Sequence, residues 1–263
     1  MERTIVVTDL TWRGTGKICL AGYFNGGYWP HDCVRPMLLD GKDLTQEMLF
    51  TSNGVVRPFS RVSLGLERQR SRPPHSEDWT LRTAFELAEE EITEDQKWKL
   101  LSQIKDGSVE SVFGGRLFNT PNAMHPVGEG TRSLGTVYVS EIIAVNLIDV
   151  DDRKRVKCYL SFCDETGSVF SLPVNDLALC LCLWHMHKYL HISQNERTLR
   201  LLKALRSCDQ IALRLGLGRE WNGVHYVQIN GIYTEPDYLN GRCFADFVMR
   251  TTEPRRTQVE IPF

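Results

Sequence analysis

Along KRVKCYLSFCDETGSVFSLPV (154–174), apolar and polar positions alternate on both sides of Asp164-Glu165-Thr166-Gly167, which predicts two strands joined by a tight turn. Other segments read the same way. TIVVTDL is β-branched, KICLAGYF follows a turn at Gly14 and Gly16, and Gly26-Gly27 marks a further turn before Val34-Arg35-Pro36. Asp40-Gly41 is another turn signal, and DLTQEMLF predicts a helical turn or two. VVRPFSRVSLGLE is extended, with Pro58 holding Arg57 away from the α region. In the C-terminal half, SLGTVYVSEIIAVNLIDV and IALRLGLGREWNGVHYVQINGIYTE predict strands, the latter broken by a turn at Trp221-Asn222-Gly223.

Two stretches have helical spacing. In TAFELAEEEITEDQKWKLLSQI (83–104) the apolar residues Phe85, Leu87, Ala88, Ile92, Trp98, Leu100, Leu101 and Ile104 predict helix, with Thr93-Glu94-Asp95 as a cap for a second short helix. NDLALCLCLWHMHKYLHIS follows with Asn175 or Asp176 as cap. Residues 107–130 are loop-rich. The expected organisation is a first barrel over 1–82, a helical and loop linker over 83–131, and a second barrel with an inserted helix and tail over 132–263. Two small β-barrels fit turns that recur every ten or so residues better than one large sheet.

Composition narrows the class. A chain of 263 residues with 42% hydrophobic and 24% charged residues is that of a folded globular protein. Its 31 Lys+Arg against 33 Asp+Glu leave a net charge of −2, so nucleic-acid binding must rest on a local basic patch. The N-terminus carries no signal-peptide pattern, and LALCLCLW is too short to span a bilayer. The eight scattered cysteines then read as reduced thiols in a cytoplasmic protein without a membrane partner.

Several short motifs together resemble the bacterial dual OB-containing domain family. Thr4-Ile5-Val6, Cys19-Leu20-Ala21-Gly22, Gly26-Gly27 and Val34-Arg35-Pro36 match its first barrel, and Ser111-Val112-Phe113-Gly114 its middle segment. Leu172-Pro173-Val174-Asn175-Asp176, Leu217-Gly218, Trp221-Asn222-Gly223 and Tyr226 match its second. The matches span about 220 residues in order, although Tyr28-Trp29-Pro30-His31-Asp32-Cys33 is inserted before Val34. The resemblance implies a mostly β fold with accessory helices, two tandem OB-like five-stranded barrels. It also implies nucleic-acid binding, without catalytic residues or a cofactor.

Such barrels bind single strands with aromatic residues that stack on bases and cations that follow phosphates. On that expectation the candidates are Lys17, Tyr23, Tyr28, Trp29, Arg35, Arg57, Arg61, Arg68, Arg70 and Arg72, with Phe24 beside them. Arg153-Lys154-Arg155 with Lys157 reads as a solvent-exposed turn, because Asp149, Asp151 and Asp152 cancel its field. Cys180, His187 and His191 are weak metal candidates, since His187 and His191 lie one helical turn apart but no Cys-x-x-Cys accompanies them. Phosphate-loop and nucleophile-elbow motifs are missing.

The leading expectation is therefore a non-catalytic module for single-stranded or structured DNA or RNA, an accessory subunit of a bacterial assembly such as an antiviral defence system. The alternatives are a protein-interaction scaffold, favoured by the apolar tail Val259, Ile261, Pro262 and Phe263 if exposed, and a metal-dependent nuclease using Asp149, Asp151 and Asp152.

Overall fold

The structure, a computed structural model, describes residues 2–14, 16–25, 32–68, 72–88, 92–118, 121–150, 155–248 and 262–263. The first half supplies strands β1 (Glu2–Gly14), β2 (Lys17–Phe24) and β3 (Cys33–Met37). The two-residue strands β4 (Leu44–Thr45), β5 (Phe50–Thr51) and β6 (Gly54–Val55) come next, then β7 (Arg61–Arg68), β8 (Asp78–Leu81) and β9 (Glu86–Leu87). β1 pairs antiparallel with β2, and β2 with β3. β3 runs parallel to β8, β8 returns antiparallel to β7, and β7 pairs with β1 again.

β1 shows how this sheet acquires two buried faces. Ile5 and Val7 enter the core with Leu10, whereas Val6 packs on the opposite side. The register with β2 skips Thr8, a bulge that shifts the alternation by one residue and turns Asp9 to the outer side. Seven consecutive residues, Ile5 through Thr11, are consequently buried. Gly22 stands opposite Val7, where a Cβ would lie 2.4 Å from the Val6 carbonyl oxygen, so only glycine permits this strand approach.

The second half supplies β10 (Met124–Pro126), β11 (Leu134–Val150), β12 (Arg155–Asp164), β13 (Val169–Val174), β14 (Gln210–Leu217) and β15 (Val224–Glu235). The path β11–β12–β13–β15–β14 returns to β11 and closes a five-stranded barrel, with β13 and β15 parallel. The 17-residue β11 makes closure possible: Leu134–Tyr138 pair with β14, and the strand from Val139 on pairs with β12 through two register shifts. The predicted hairpin at 164–167 and the turn at 221–223 join β12 to β13 and β14 to β15.

Helix α1 (Glu94–Gln103) starts at the predicted cap, where Thr93 and Gln96 hydrogen-bond reciprocally. The helix expected over 83–92 is absent among the described residues. Glu86 and Leu87 pair with β7, and Phe85 is buried in the first core, so sheet pairing overrides a helical spacing. α2 (Leu177–Lys188) is capped by Asp176, whose Oδ1 accepts the Leu179 N–H at 2.9 Å. It is apolar all round because Leu179, Cys182, Leu183 and Met186 enter the second core while Leu177 enters the first. α3 (Gln194–Arg206) follows a Ser193 cap, and Arg197 anchors it with two bonds to Asp149, at 2.9 and 2.8 Å.

The stretch 107–130, read from sequence as a linking loop, packs against the barrel through its described apolar residues. Val109, Val112 and Phe113 are fully buried in the second core, and β10 extends the sheet beside β15. Of the apolar tail, Pro262 is buried and Phe263 stacks on Tyr238, while Val259 and Ile261 lie outside the described residues. All eight cysteines are free thiols, and no helix among the described residues is long and apolar enough to cross a membrane.

The halves meet along a seam. Val6, Ala21, Tyr23 and Cys33 pack on Leu134, Ala212 and Tyr233, with Leu100, Leu101 and Ile104 of α1 filling the side. Within it, Arg214 donates to both oxygens of Asp9, at 2.8 and 3.0 Å, and to Thr136 Oγ1 at 2.8 Å. Tyr233 Oη donates to the Thr8 carbonyl that the bulge frees. Glu77 accepts the backbone N–H groups of Ser133 and Leu134, at 2.7 and 3.1 Å. Charges removed from water are tolerable only with partners of this quality.

Candidate nucleic-acid interface

The seam accounts for two of the predicted stacking and phosphate residues. Tyr23 and Arg35 are 1% and 5% exposed, which removes both from an open strand face. The outer side of β2 meets the other half of the molecule, where solvent was expected. Arg35 Nε donates to Asp78 Oδ1 at 2.6 Å, and its Nη2 lies 3.0 Å from His75 Nδ1. Asp78 also accepts from Arg219 Nη2 at 2.8 Å, so a carboxylate of the first half holds guanidinium groups from both halves. Burial opposes ionisation of Asp78, but these two guanidiniums outweigh it and hold the carboxyl below its usual range. His75 is pushed down to about 3 by burial and then by Arg35 and Arg219, and is neutral at ordinary pH.

The other predicted residues are distributed over the first half. Lys17 is exposed at the start of β2, Arg57 and Arg61 are half-buried, and Arg68 and Arg72 are exposed. Tyr28, Trp29 and Arg70 lie outside the described residues. Arg68 is brought to Trp79, 5.8 Å above its ring, and Arg3 lies 4.8 Å over the Phe24 ring. Phe24 and Trp79 meet edge to face at 5.4 Å. This cation–aromatic cluster lies at the opposite end of β2 from Lys17, so the candidates among the described residues do not form one patch.

The metal candidates stay apart. The Cys180 thiol is buried beside the Val174 carbonyl, with burial pushing it up to about 12. His187 lies 3.5 Å from Asp149 Oδ2, and His191 is exposed beyond the helix. No group of three or more His, Cys, Asp or Glu side chains among the described residues could hold a metal ion. Asp149, the nuclease candidate that can be placed, is bound by Arg197.

The second half carries a face that the sequence reading did not select. The alternation of β12 turns Val156, Cys158 and Leu160 inward and leaves Arg155, Lys157, Tyr159 and Ser161 on the outer side. Lys157 stands opposite Ile148, Tyr159 opposite Asn146 and Pro173, and Ser161 opposite Ser171. Ile148 and Asn146 are exposed, and the serine hydroxyls pair at 3.0 Å. Lys157 and Arg155 therefore belong to a strand, not to the solvent-exposed turn expected for them. The signal was present in KRVKCYLSF, where positions 155, 157 and 159 share a side by period two.

This face continues to the seam. The Arg155 guanidinium lies 4.5 Å over the Trp12 ring and donates to Asn175 Oδ1 at 2.6 Å. Asn175 donates to Gln228 at 2.7 Å, and Gln228 to Asn230 at 2.8 Å. Asn230 borders a crevice also lined by Arg13, Arg35 and Arg219. Aromatic, amide and guanidinium groups thus form one track from the β12 face to the junction of the halves.

No family model matches the chain, and no curated protein matches it. Among solved structures, a murine DNA-binding protein bound to double-stranded DNA aligns with a TM-score of 0.31 and 8% identity, over 89% of this chain and 97% of that one. A replication protein A heterotrimer bound to single-stranded DNA aligns with a TM-score of 0.34 and 9% identity, over 88% of this chain and 49% of that one.

Proposed function

We propose that the chain is a tandem of two OB-type barrels that binds single-stranded or structured nucleic acid. Both strand circuits support the tandem assignment: each runs first–second–third–fifth–fourth and back to the first, with the third and fifth strands parallel. The observation that carries the function is the outer face of β12, where Lys157 and Tyr159 stand in line with the Trp12–Arg155 stack. Flat rings beside guanidinium and ammonium groups on a barrel face suit a flexible polyanion with exposed bases. The same reading takes the chain as a non-catalytic, cytoplasmic accessory subunit of a bacterial assembly, antiviral defence included; the bacterial source, the assembly and the defence role rest on the family resemblance alone.

Fluorescence anisotropy with labelled single-stranded DNA, single-stranded RNA and duplex at two salt concentrations tests the function. Wild-type protein is expected to prefer a single strand and to weaken steeply with salt. Tyr159→Ala is expected to lower single-strand affinity about tenfold through lost stacking, and Lys157→Gln to make the salt dependence shallower. Arg68→Gln with Arg72→Gln reports on the exposed first-half arginines in the same assay. Absence of binding to every polymer at low salt contradicts the function. Binding that ignores Tyr159 and Lys157 but falls with Arg68 and Arg72 moves the interface to the first half.

A further inference from the structure

The crevice at the seam has the composition of an anion site. It opens where the two halves meet, between β2 and β3 on one side and β14 and β15 on the other. Arg13, Arg35 and Arg219 line it with Gln228 and Asn230, and among the described residues Asp43 is the one carboxylate in its wall. Asp43 holds Arg13 only loosely, at 3.7 Å. Asp78 sits behind the wall and divides its single charge between Arg35 and Arg219. Three guanidinium groups thus line a space whose own wall carries a single carboxylate among the described residues.

Arg35 is also fixed in advance. Asp78 and neutral His75 hold its Nε and Nη2, and its backbone N–H donates to the Glu77 carbonyl at 2.7 Å. A guanidinium immobilised in this way loses little further freedom when it meets a ligand. The planar forks of arginine match the tetrahedral oxygens of phosphate better than ammonium groups do.

We infer that this crevice binds a phosphate group, either a phosphodiester of a nucleic-acid strand or the phosphate of a free nucleotide. The strand form rests on the function proposed above; the nucleotide form does not. Arg35 forms the fixed wall, and Arg13 and Arg219 close on the anion from the two halves of the molecule. Trp221 lies two residues beyond Arg219 on the β14–β15 turn and is 67% exposed, which offers a stacking surface for a base attached to the bound phosphate.

Four proteins and three probes test the site: wild type, Arg13→Gln, Arg13→Gln with Arg219→Gln, and Trp221→Ala, against labelled oligothymidylate by anisotropy and inorganic phosphate and thymidine monophosphate by calorimetry. The double variant is expected to bind oligothymidylate about tenfold more weakly, with a salt slope reduced by about one. Loss of fold does not alter a salt slope in this way. Arg13→Gln, which leaves the Asp78 cluster intact, gives a smaller change in the same direction should the double variant fail to fold. Trp221→Ala is expected to weaken oligothymidylate but not inorganic phosphate. If wild type binds the strand and neither arginine variant changes affinity or slope, the crevice is not a phosphate site, although the function stands. If wild type binds no strand, the function proposed above fails and the small probes decide. Phosphate or thymidine monophosphate bound by wild type and lost in Arg13→Gln supports the crevice, and binding of neither probe overturns it.

Discussion

Asp9→Asn is expected to unfold at a much lower urea concentration than wild type, with a loss of about 3–5 kcal/mol. Arg214 and Asp9 have side-chain exposures of 0% and 1%, and they meet through two hydrogen bonds. Asparagine keeps the shape but removes the charge, and it turns an amide N–H towards a guanidinium that, among the described residues, meets no other carboxylate. Thr136 Oγ1 and Tyr23 Oη, at 2.8 and 3.4 Å, solvate that cation only in part. Against a total stability of about 5–15 kcal/mol such a loss is large. Replacing both partners, Asp9→Leu with Arg214→Met, removes the stranded charge and is expected to recover most of it. Urea titrations followed by fluorescence and circular dichroism measure both. A loss below about 1 kcal/mol for Asp9→Asn would mean that water reaches the pair.

Between about pH 7 and pH 4.5, His75→Gln is expected to gain about 3 kcal/mol on wild type. His75 titrates near 3 in the folded chain against its ordinary 6.5. Below 6.5 the unfolded chain takes up a proton that the folded chain refuses, so its contribution is complete above 6.5 and is lost as pH falls towards 3. Asp176 acts with the opposite sign. Burial raises it to about 6 from 3.8, despite the backbone N–H bonds it accepts from Leu179 and Ile232. The folded chain therefore takes up the proton first, and acidification from 6 towards 3.8 favours folding. Asp176→Asn keeps the helix cap and is expected to lose about 2 kcal/mol on wild type over the same interval. Burial raises Glu77 and lowers His185, adding one group to each side of this balance. Wild type alone thus shows a muted profile, and the variants separate its parts. Urea midpoints for both variants that track wild type at every pH would contradict the burial of these two groups.

Much of the fold was legible because short-range signals report local geometry. The turns at 164–167 and 221–223, the Thr93 cap and the Asp176 cap each depend on a few neighbouring residues, and each stands where the pattern puts it. Residues 83–92 misled for the same reason: Phe85, Ala88 and Ile92 repeat at helical intervals, but their neighbours pair with a strand some 20 residues earlier. α3 also carries a local signal, its Ser193 cap and the apolar spacing of Leu201 and Leu205. The site was harder. Alternation says that Ala21 and Tyr23 share a side of β2, but not whether that side meets water or Ala212 and Tyr233. The partner that buries Arg35 is 43 residues away, and Arg219 joins from a distance of 141 residues beyond Asp78. No local rule reaches that far.

The seam also sets a schedule for synthesis. Asp9 is separated from Arg214 by 205 residues, and Thr8 from Tyr233 by 225. A ribosome adding about 5–20 residues per second needs roughly 8–30 s to pass from β8 to the end of β15. Throughout that interval a nascent first half holds Asp9 without Arg214, and Val6, Ala21 and Tyr23 can meet α1 but not Ala212 or Tyr233. The carboxylate of Asp9 thus waits for its guanidinium until β14 is made, and a chain that stops before β14 keeps it without Arg214 for its lifetime.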